Sequence, residues 1–412
     1  MHLNYDAIVI GGGPAGATAA ILLAQAGWRV AVLEKATFPR RKVCGEFISA
    51  TTWPLLRALG VVDLLKENAG PIIRRVGVFS GTTQLTAAMA PLRNGEVDVG
   101  RAVGREILDT ILLERAGAAG ATIWQPWTVV KYALDTAGYT CLVEERGSGQ
   151  LRTLHAPLLI AAHGSWESGA LPTQDFRQAP RPFDLLGFKA QFRGGNLAAE
   201  LMPLLAFPGG YGGMVNTGRG TMSLSCCIRR DHLEACRRKW PQHRAGAAVL
   251  AHLNAHCVGV AAALSGATLE GAWLAAGPIR PGIRGFGTDG LFTLGNAAAE
   301  AHPIVAEGIS MAIQSAALLC ERLVARGGST LTRAVLVSIR HDYARAWRRN
   351  FALRLHVATF YAQIFSRGIS TRIALAVMRR FPSALTLGSR WSGKADPLRS
   401  HGALDLAGIS ER

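Results

Sequence analysis

The chain has 412 residues, 49% of them hydrophobic and 18% charged. That length fits roughly two to three structural units, and the composition excludes an intrinsically disordered chain. The unusual quantity is charge: 45 Lys and Arg against 28 Asp and Glu leave a net +17, an excess that suggests nucleic acid or an anionic surface unless it is confined to one region.

The seven cysteines, Cys44, Cys141, Cys226, Cys227, Cys236, Cys257 and Cys320, are irregularly spaced and contain no Cys-x-x-Cys. They read as reduced thiols of a cytoplasmic protein, not as a disulfide framework or a zinc site, and no metal is expected. The N-terminus lacks the cationic and apolar regions of a signal peptide. Residues 245–269 carry no charge and are long enough to span a bilayer. His252, Asn254, His256 and Ser265 within them favour a buried or surface-docked helix instead.

In chain order, residues 5–10 read as a short buried strand, Gly11–Gly16 as a tight turn and 15–26 as an Ala/Leu-rich helix. Gly27 stops that helix, and residues 28–33 form a second strand ending at Glu34, which completes one β-α-β unit. Helices are expected over 52–59 and 105–119, and strands over 121–125, 128–134, 139–145, 151–155 and 157–162. A second sheet is expected from strands near 185–193, 200–207 and 221–229, with a glycine-rich loop at Pro208–Met214. Helices near 231–239 and 244–263 follow, then a strand at 291–294 and a helix over 307–325. The tail reads as helices over 331–366 and 369–380.

Gly11-x-Gly13-x-x-Gly16 between strand and helix, with Glu34 following 18 residues after Gly16, has the spacing of a dinucleotide site. Gly11 allows the turn, Gly13 lets backbone approach a pyrophosphate, and Gly16 lets helix and strand pack closely. Pro14 and Ala15 open the helix, whose free N–H groups favour phosphate. Glu34, with Lys35 beside it, can take the ribose diol.

From residue 3 to about 325 the sequence resembles the FAD-dependent family that includes p-hydroxybenzoate hydroxylase, the geranylgeranyl reductases and the flavin-dependent halogenases. The resemblance rests on this turn, on Arg105-Glu106-Ile107-Leu108-Asp109, and on Leu294-Gly295-Asn296-Ala297-Ala298 with His302-Pro303 and Glu307-Gly308-Ile309. It implies FAD as cofactor. Arg105 would contact its phosphate and ribityl region, and Val129 would lie beside adenine. Gly295 and Asn296 would hold the ribityl chain, with Pro303, Gly308 and Ile309 against the ring. Pro39-Arg40-Arg41-Lys42-Val43-Cys44-Gly45-Glu46 resembles the Pro-Arg-x-Lys-x-Cys-Gly element of the geranylgeranyl reductase branch. There Arg40 and Lys42 would meet the pyrophosphate, Gly45 would pass the flavin, and Cys44 and Glu46 would face the reacting centre. His163 stands where monooxygenases of the family carry Asp, which makes NADH or NADPH a less certain direct reductant and a separate flavin reductase or electron donor more plausible. The halogenase signature Trp-x-Trp-x-Ile-Pro is absent; Trp124-Gln125-Pro126-Trp127 has another spacing.

The fold class implied is α/β: a Rossmann-like FAD-binding domain (1–169 and 286–328), an inserted β-sheet substrate domain (170–285) and a C-terminal basic helical region (329–412). Phe188, Phe207, Tyr211 and Met214 are candidates for an apolar substrate pocket, and Glu300 and His302 for proton transfer beside the flavin-facing proline. The leading expectation is a monooxygenase acting on a hydrophobic aromatic or polyketide-like molecule. The alternatives are a reductase saturating isoprenoid double bonds and a non-catalytic flavin-binding redox partner. Of the +17, residues 326–412 supply +11, from 14 Arg and one Lys against four acids. The charge thus belongs to a C-terminal appendage of basic amphipathic helices, either suited to peripheral contact with the membrane inner face or packed as a helical cap on the FAD domain with its arginines in solvent, and no nucleic-acid partner is expected.

Overall fold

The computed structural model describes residues 3–92, 99–174, 179–288, 290–326, 331–394 and 398. The tail beyond Lys394, part of the expected C-terminal region, lies outside the described residues except for Leu398.

The chain begins with β1 (Ala7–Ile10), α1 (Pro14–Gln25) and β2 (Val30–Leu33). Two short helices, α2 (Trp53–Ala58) and α3 (Val62–Asn68), lead to a hairpin of β3 (Arg75–Ser80) and β4 (Thr83–Ala88). Helix α4 (Arg105–Ala118) is followed by β5 (Thr122–Trp124), β6 (Trp127–Leu134), β7 (Tyr139–Glu145), β8 (Leu151–Ala156) and β9 (Leu158–Ala161). Then come β10 (Leu185–Arg193), β11 (Leu201–Phe207), β12 (Gly210–Gly218) and β13 (Thr221–Arg229). Helices α5 (Arg230–Lys239), α6 (Ala245–His256) and α7 (Val258–Ala263) precede β14 (Thr268–Ile279) and β15 (Leu291–Thr293). Four helices finish the described chain: α8 (Gly308–Ala325), α9 (Arg333–Phe365), α10 (Gly368–Arg380) and α11 (Ser383–Ser389).

The first sheet runs β15-β9-β1-β2-β5, all parallel, with Gly287–Thr288 antiparallel at its edge. Its central strands are apolar throughout because helices or a second sheet cover both faces; every residue of β1, β2 and β9 is buried. On one face α1 packs between α4 and α8. That approach demands glycine at 16, where a Cβ would lie 1.8 Å from the Gly11 carbonyl oxygen. On the other, the sheet of β8, β7 and β6 buries Trp127, Tyr139 and Val143 against Ile8, Leu33 and Leu159.

The second large sheet runs β14-β10-β13-β12-β11-β3-β4 and is antiparallel except for β11 with β3. One side packs Phe188, Phe192 and Leu224 against α6 and α7. On the other side, Val78 and Ala206 meet Phe365, Leu375 and Leu385 of the C-terminal helices.

Four differences from the sequence reading have physical causes. The hairpin β3–β4, within the range assigned to the flavin domain, joins the second sheet because β3 pairs with β11. The glycine-rich segment at 208–214 is a turn only at Pro208–Gly209; Gly210 onward forms β12, where Gly212 lies opposite Cys226 and a Cβ would stand 2.6 Å from the Ser225 carbonyl oxygen. The single helix expected over 244–263 breaks into α6 and α7 at Cys257, whose backbone is extended at φ −152° and ψ 90°. Last, the C-terminal helices are not an appendage. Tyr343, Trp347 and Phe351 of α9 enter the same core cluster as α1 and α8, with Trp347 and Phe286 ring centroids 5.2 Å apart. Each such side chain contributes about 1.5–3 kcal/mol of burial. The one helix long and apolar enough to cross a membrane among the described residues is α8, and most of it is buried in this core.

Candidate functional site

A single cavity of about 330 Å³ runs from the Gly11–Gly13 turn, past the Glu300–Ile309 segment, to the inner faces of β11, β12, α10 and α11.

At one end lies a cationic cradle. Helix α1 starts at Pro14 with no side-chain cap on its first turn, so its N–H groups and partial positive charge face the cavity. A Cβ on Gly13 would be 3.8 Å from guanidinium nitrogens of both Arg105 and Arg40, which marks a space bounded by two cations. Asp109 fixes Arg105 through bonds of 2.6 and 2.7 Å and draws Arg40 to 3.3 Å. Lys42 completes the cluster, its pKa pushed down to about 8 by burial and by the Arg105 and Arg40 charges. Glu34 accepts from the Gly12 N–H at 2.9 Å and the Ala36 N–H at 2.8 Å, which orients its carboxylate at the end of β2.

The middle of the cavity is lined by Cys44, Gly45, Glu46, Gly295, Asn296, Glu300, Pro303, Gly308 and Ile309. Here α8 presents an N-terminus without side-chain capping. Glu46 is not a free acid. It is fully buried at φ 61°, receives the Arg105 N–H at 3.0 Å and is ion-paired with Lys189 of β10. Glu300 is likewise engaged: Arg284 donates to it at 2.6 Å, Ser165 at 2.8 Å and Asn296 at 3.3 Å. These contacts tie the carboxylate suggested for proton transfer to Arg284, Ser165 and Asn296. His163 borders the cavity, its Nδ1 is 3.1 Å from the Thr173 hydroxyl, and burial lowers its pKa.

At the far end the lining turns apolar: Val78, Met202, Leu204, Met214, Phe365 and Leu385. Its polar groups include Ser389, Lys394 and His302, whose Nδ1 lies 3.2 Å from the Tyr211 hydroxyl. Burial pushes the His302 pKa down to about 4, so the ring is neutral at pH 7, and burial raises that of Tyr211.

Several expected residues fall elsewhere. Phe188 and Phe207 point into the core beneath the second sheet, and Phe207 stacks edge-on to His252 at 5.8 Å. Lys35 pairs with Glu167 at 2.7 Å. Val129, on β6 opposite Val143 of β7, is buried, and Gly16 serves helix packing; neither lines the cavity. Trp124 and Trp127 pack on each other at 4.9 Å, away from the lining. His252 and His256 are spent on backbone carbonyls. Sequence reasoning missed Lys189, Lys394 and the C-terminal wall. A lysine in the middle of a largely apolar strand was the available signal for Lys189.

Fold and cradle together define a dinucleotide-binding flavoprotein. A family model described as an FAD binding domain matches residues 4–336; the chain belongs to this FAD-binding family, with FAD as its cofactor. Geranylgeranyl diphosphate reductase of Rhodobacter capsulatus is 40% identical over 167 residues, 40% of this chain and 38% of the relative. Digeranylgeranylglycerophospholipid reductase 2 of Methanopyrus kandleri is 26% identical over 386 residues, 88% of this chain and 87% of that one. In the strongest local matches the chain spans about two fifths or less of the relatives' own length. Among solved structures, the flavin-dependent brominase Bmp2 gives a TM-score of 0.75 at 16% identity, covering 99% of this chain and 97% of that chain. PqsL of Pseudomonas aeruginosa, described as a probable FAD-dependent monooxygenase, gives 0.69 at 17% identity, covering 92% and 100%. At these identities the likeness is one of fold.

Proposed function

We propose that this flavoprotein is a monooxygenase that hydroxylates an apolar aromatic or polyketide-like molecule. The supporting observation is the Tyr211–His302 pair at the head of an apolar chamber. With a pKa of about 4 the His302 ring is neutral at pH 7, so it can pair by hydrogen bond with Tyr211 and orient a phenolic hydroxyl there. It is a poor donor for protonating a carbon during double-bond reduction.

Bound FAD supplies the redox chemistry and the reaction with oxygen. The Arg40, Lys42 and Arg105 cradle and the α1 N-terminus bind the pyrophosphate, and Glu34 takes the ribose. Gly295 and Asn296 hold the ribityl chain, and the α8 N-terminus stabilises negative charge on the ring. The Tyr211 hydroxyl, held by Nδ1 of His302, orients the substrate hydroxyl by hydrogen bonding, while the apolar walls exclude water. His163 in place of the family's Asp favours electrons arriving from a separate flavin reductase over direct NADH or NADPH use.

A reductase of isoprenoid double bonds is the second reading, favoured by Cys44 at the cavity wall and by the identity to geranylgeranyl diphosphate reductase. Oxygen uptake separates the two. The holoenzyme, given NADH, NADPH or a flavin reductase, is expected to consume oxygen in step with a phenolic substrate. His302→Ala is expected to lower that turnover about a hundredfold with unchanged flavin content. Turnover only in the absence of oxygen overturns the monooxygenase reading.

A further inference from the structure

The C-terminal helices have two faces of opposite exposure. The inner face of α10 buries Thr371 and Leu375 and turns Met378 to the cavity. The outer face carries Ile369, Ile373 and Val377, 78%, 61% and 49% exposed and spaced four residues apart, so they form one stripe. Phe381 follows at 56%, and Leu387 and Trp391 are exposed on the next turns. Arg372, Arg379 and Arg380 flank the stripe, all exposed. From residue 343 to residue 395 there are ten basic residues and no acid.

An aliphatic stripe this exposed marks an interaction surface. Its occupant follows from charge. An acid-free frame of arginines beside aliphatic side chains complements phosphate headgroups above acyl chains, and an aromatic ring such as Trp391 suits the headgroup boundary. A nucleic acid offers nothing for the stripe. We infer that the outer face of α10 docks on an anionic lipid surface, and that apolar substrate enters the cavity from that side, one helix away. The entry route rests on the apolar-substrate reading; the docking does not.

The test is sedimentation of the full-length holoenzyme with vesicles of phosphatidylglycerol and phosphatidylcholine against phosphatidylcholine alone. Binding to the anionic vesicles is expected, falling as salt rises. Arg372→Glu with Arg380→Glu should weaken it about thirtyfold, and Ile373→Glu should weaken it while flavin absorbance stays intact. No binding to anionic vesicles, or binding by both variants as tight as that of the unaltered protein, overturns the inference. Capture of an acidic carrier protein without vesicle binding overturns it in favour of a protein partner. Sedimentation does not depend on turnover, so failure here leaves oxygen-coupled hydroxylation standing, and the reverse also holds.

Discussion

Lys42 shows how a single side chain reports on the cofactor. Buried beside two guanidinium groups, it loses its proton near pH 8 before any phosphate is present. A diphosphate favours the ammonium form, so binding raises that pKa. Affinity for FAD should therefore be complete below pH 8 and decline as pH rises through it, by up to about tenfold per pH unit. Fluorescence titration of FAD into flavin-free protein measures this, and Lys42→Arg, always charged, should flatten the profile. Arg40, Lys42, Arg105 and the glycines were legible in the sequence because they lie in short motifs with a local mechanism. The fate of Glu46 was not: its partner Lys189 is 143 residues away, and only the fold shows that an apparent acid is one half of a buried ion pair.

Among the elements, α8 is the clearest case of distant support. Its N-cap residue Glu307 is fully buried, and its carboxylate is met by Lys394 at 3.3 Å and by the Ser49 hydroxyl at 3.1 Å. Burial lowers the Lys394 pKa and the Glu307 charge opposes that fall. Removing one member of such a pair leaves the other charged and dry. Lys394→Met should cost about 3–5 kcal/mol in urea unfolding, with part recovered when Glu307→Gln is added. The α8 helix itself was readable from its apolar run. The contact was not, since Lys394 follows α11 with no periodic pattern leading to it. Strand β12 was hidden for another reason: its glycines read as a loop, although they are there because neighbouring strand backbone occupies the space of a Cβ.

For the whole molecule, the sequence located the charge and left its setting open between a membrane-facing appendage and a cap packed on the FAD domain. Most of the excess does sit after residue 325, but on helices whose inner faces are a wall of the cavity and part of the main core. A chain ended after Arg326 should therefore lose more than a docking surface. Without Tyr343, Trp347 and Phe351, it should be recovered insoluble or without flavin, as absorbance of the soluble fraction will show.

The order of the first sheet carries a consequence for biosynthesis. The glycine turn is made long before β15, the strand near residue 290 that pairs with β9 in the same sheet, and the chamber closes only with Leu385 and Lys394. Between those two events the nascent chain carries a nucleotide-binding turn on an unfinished sheet. Stable capture of FAD therefore waits for α10 and α11, and their loss should leave no partial holoenzyme behind.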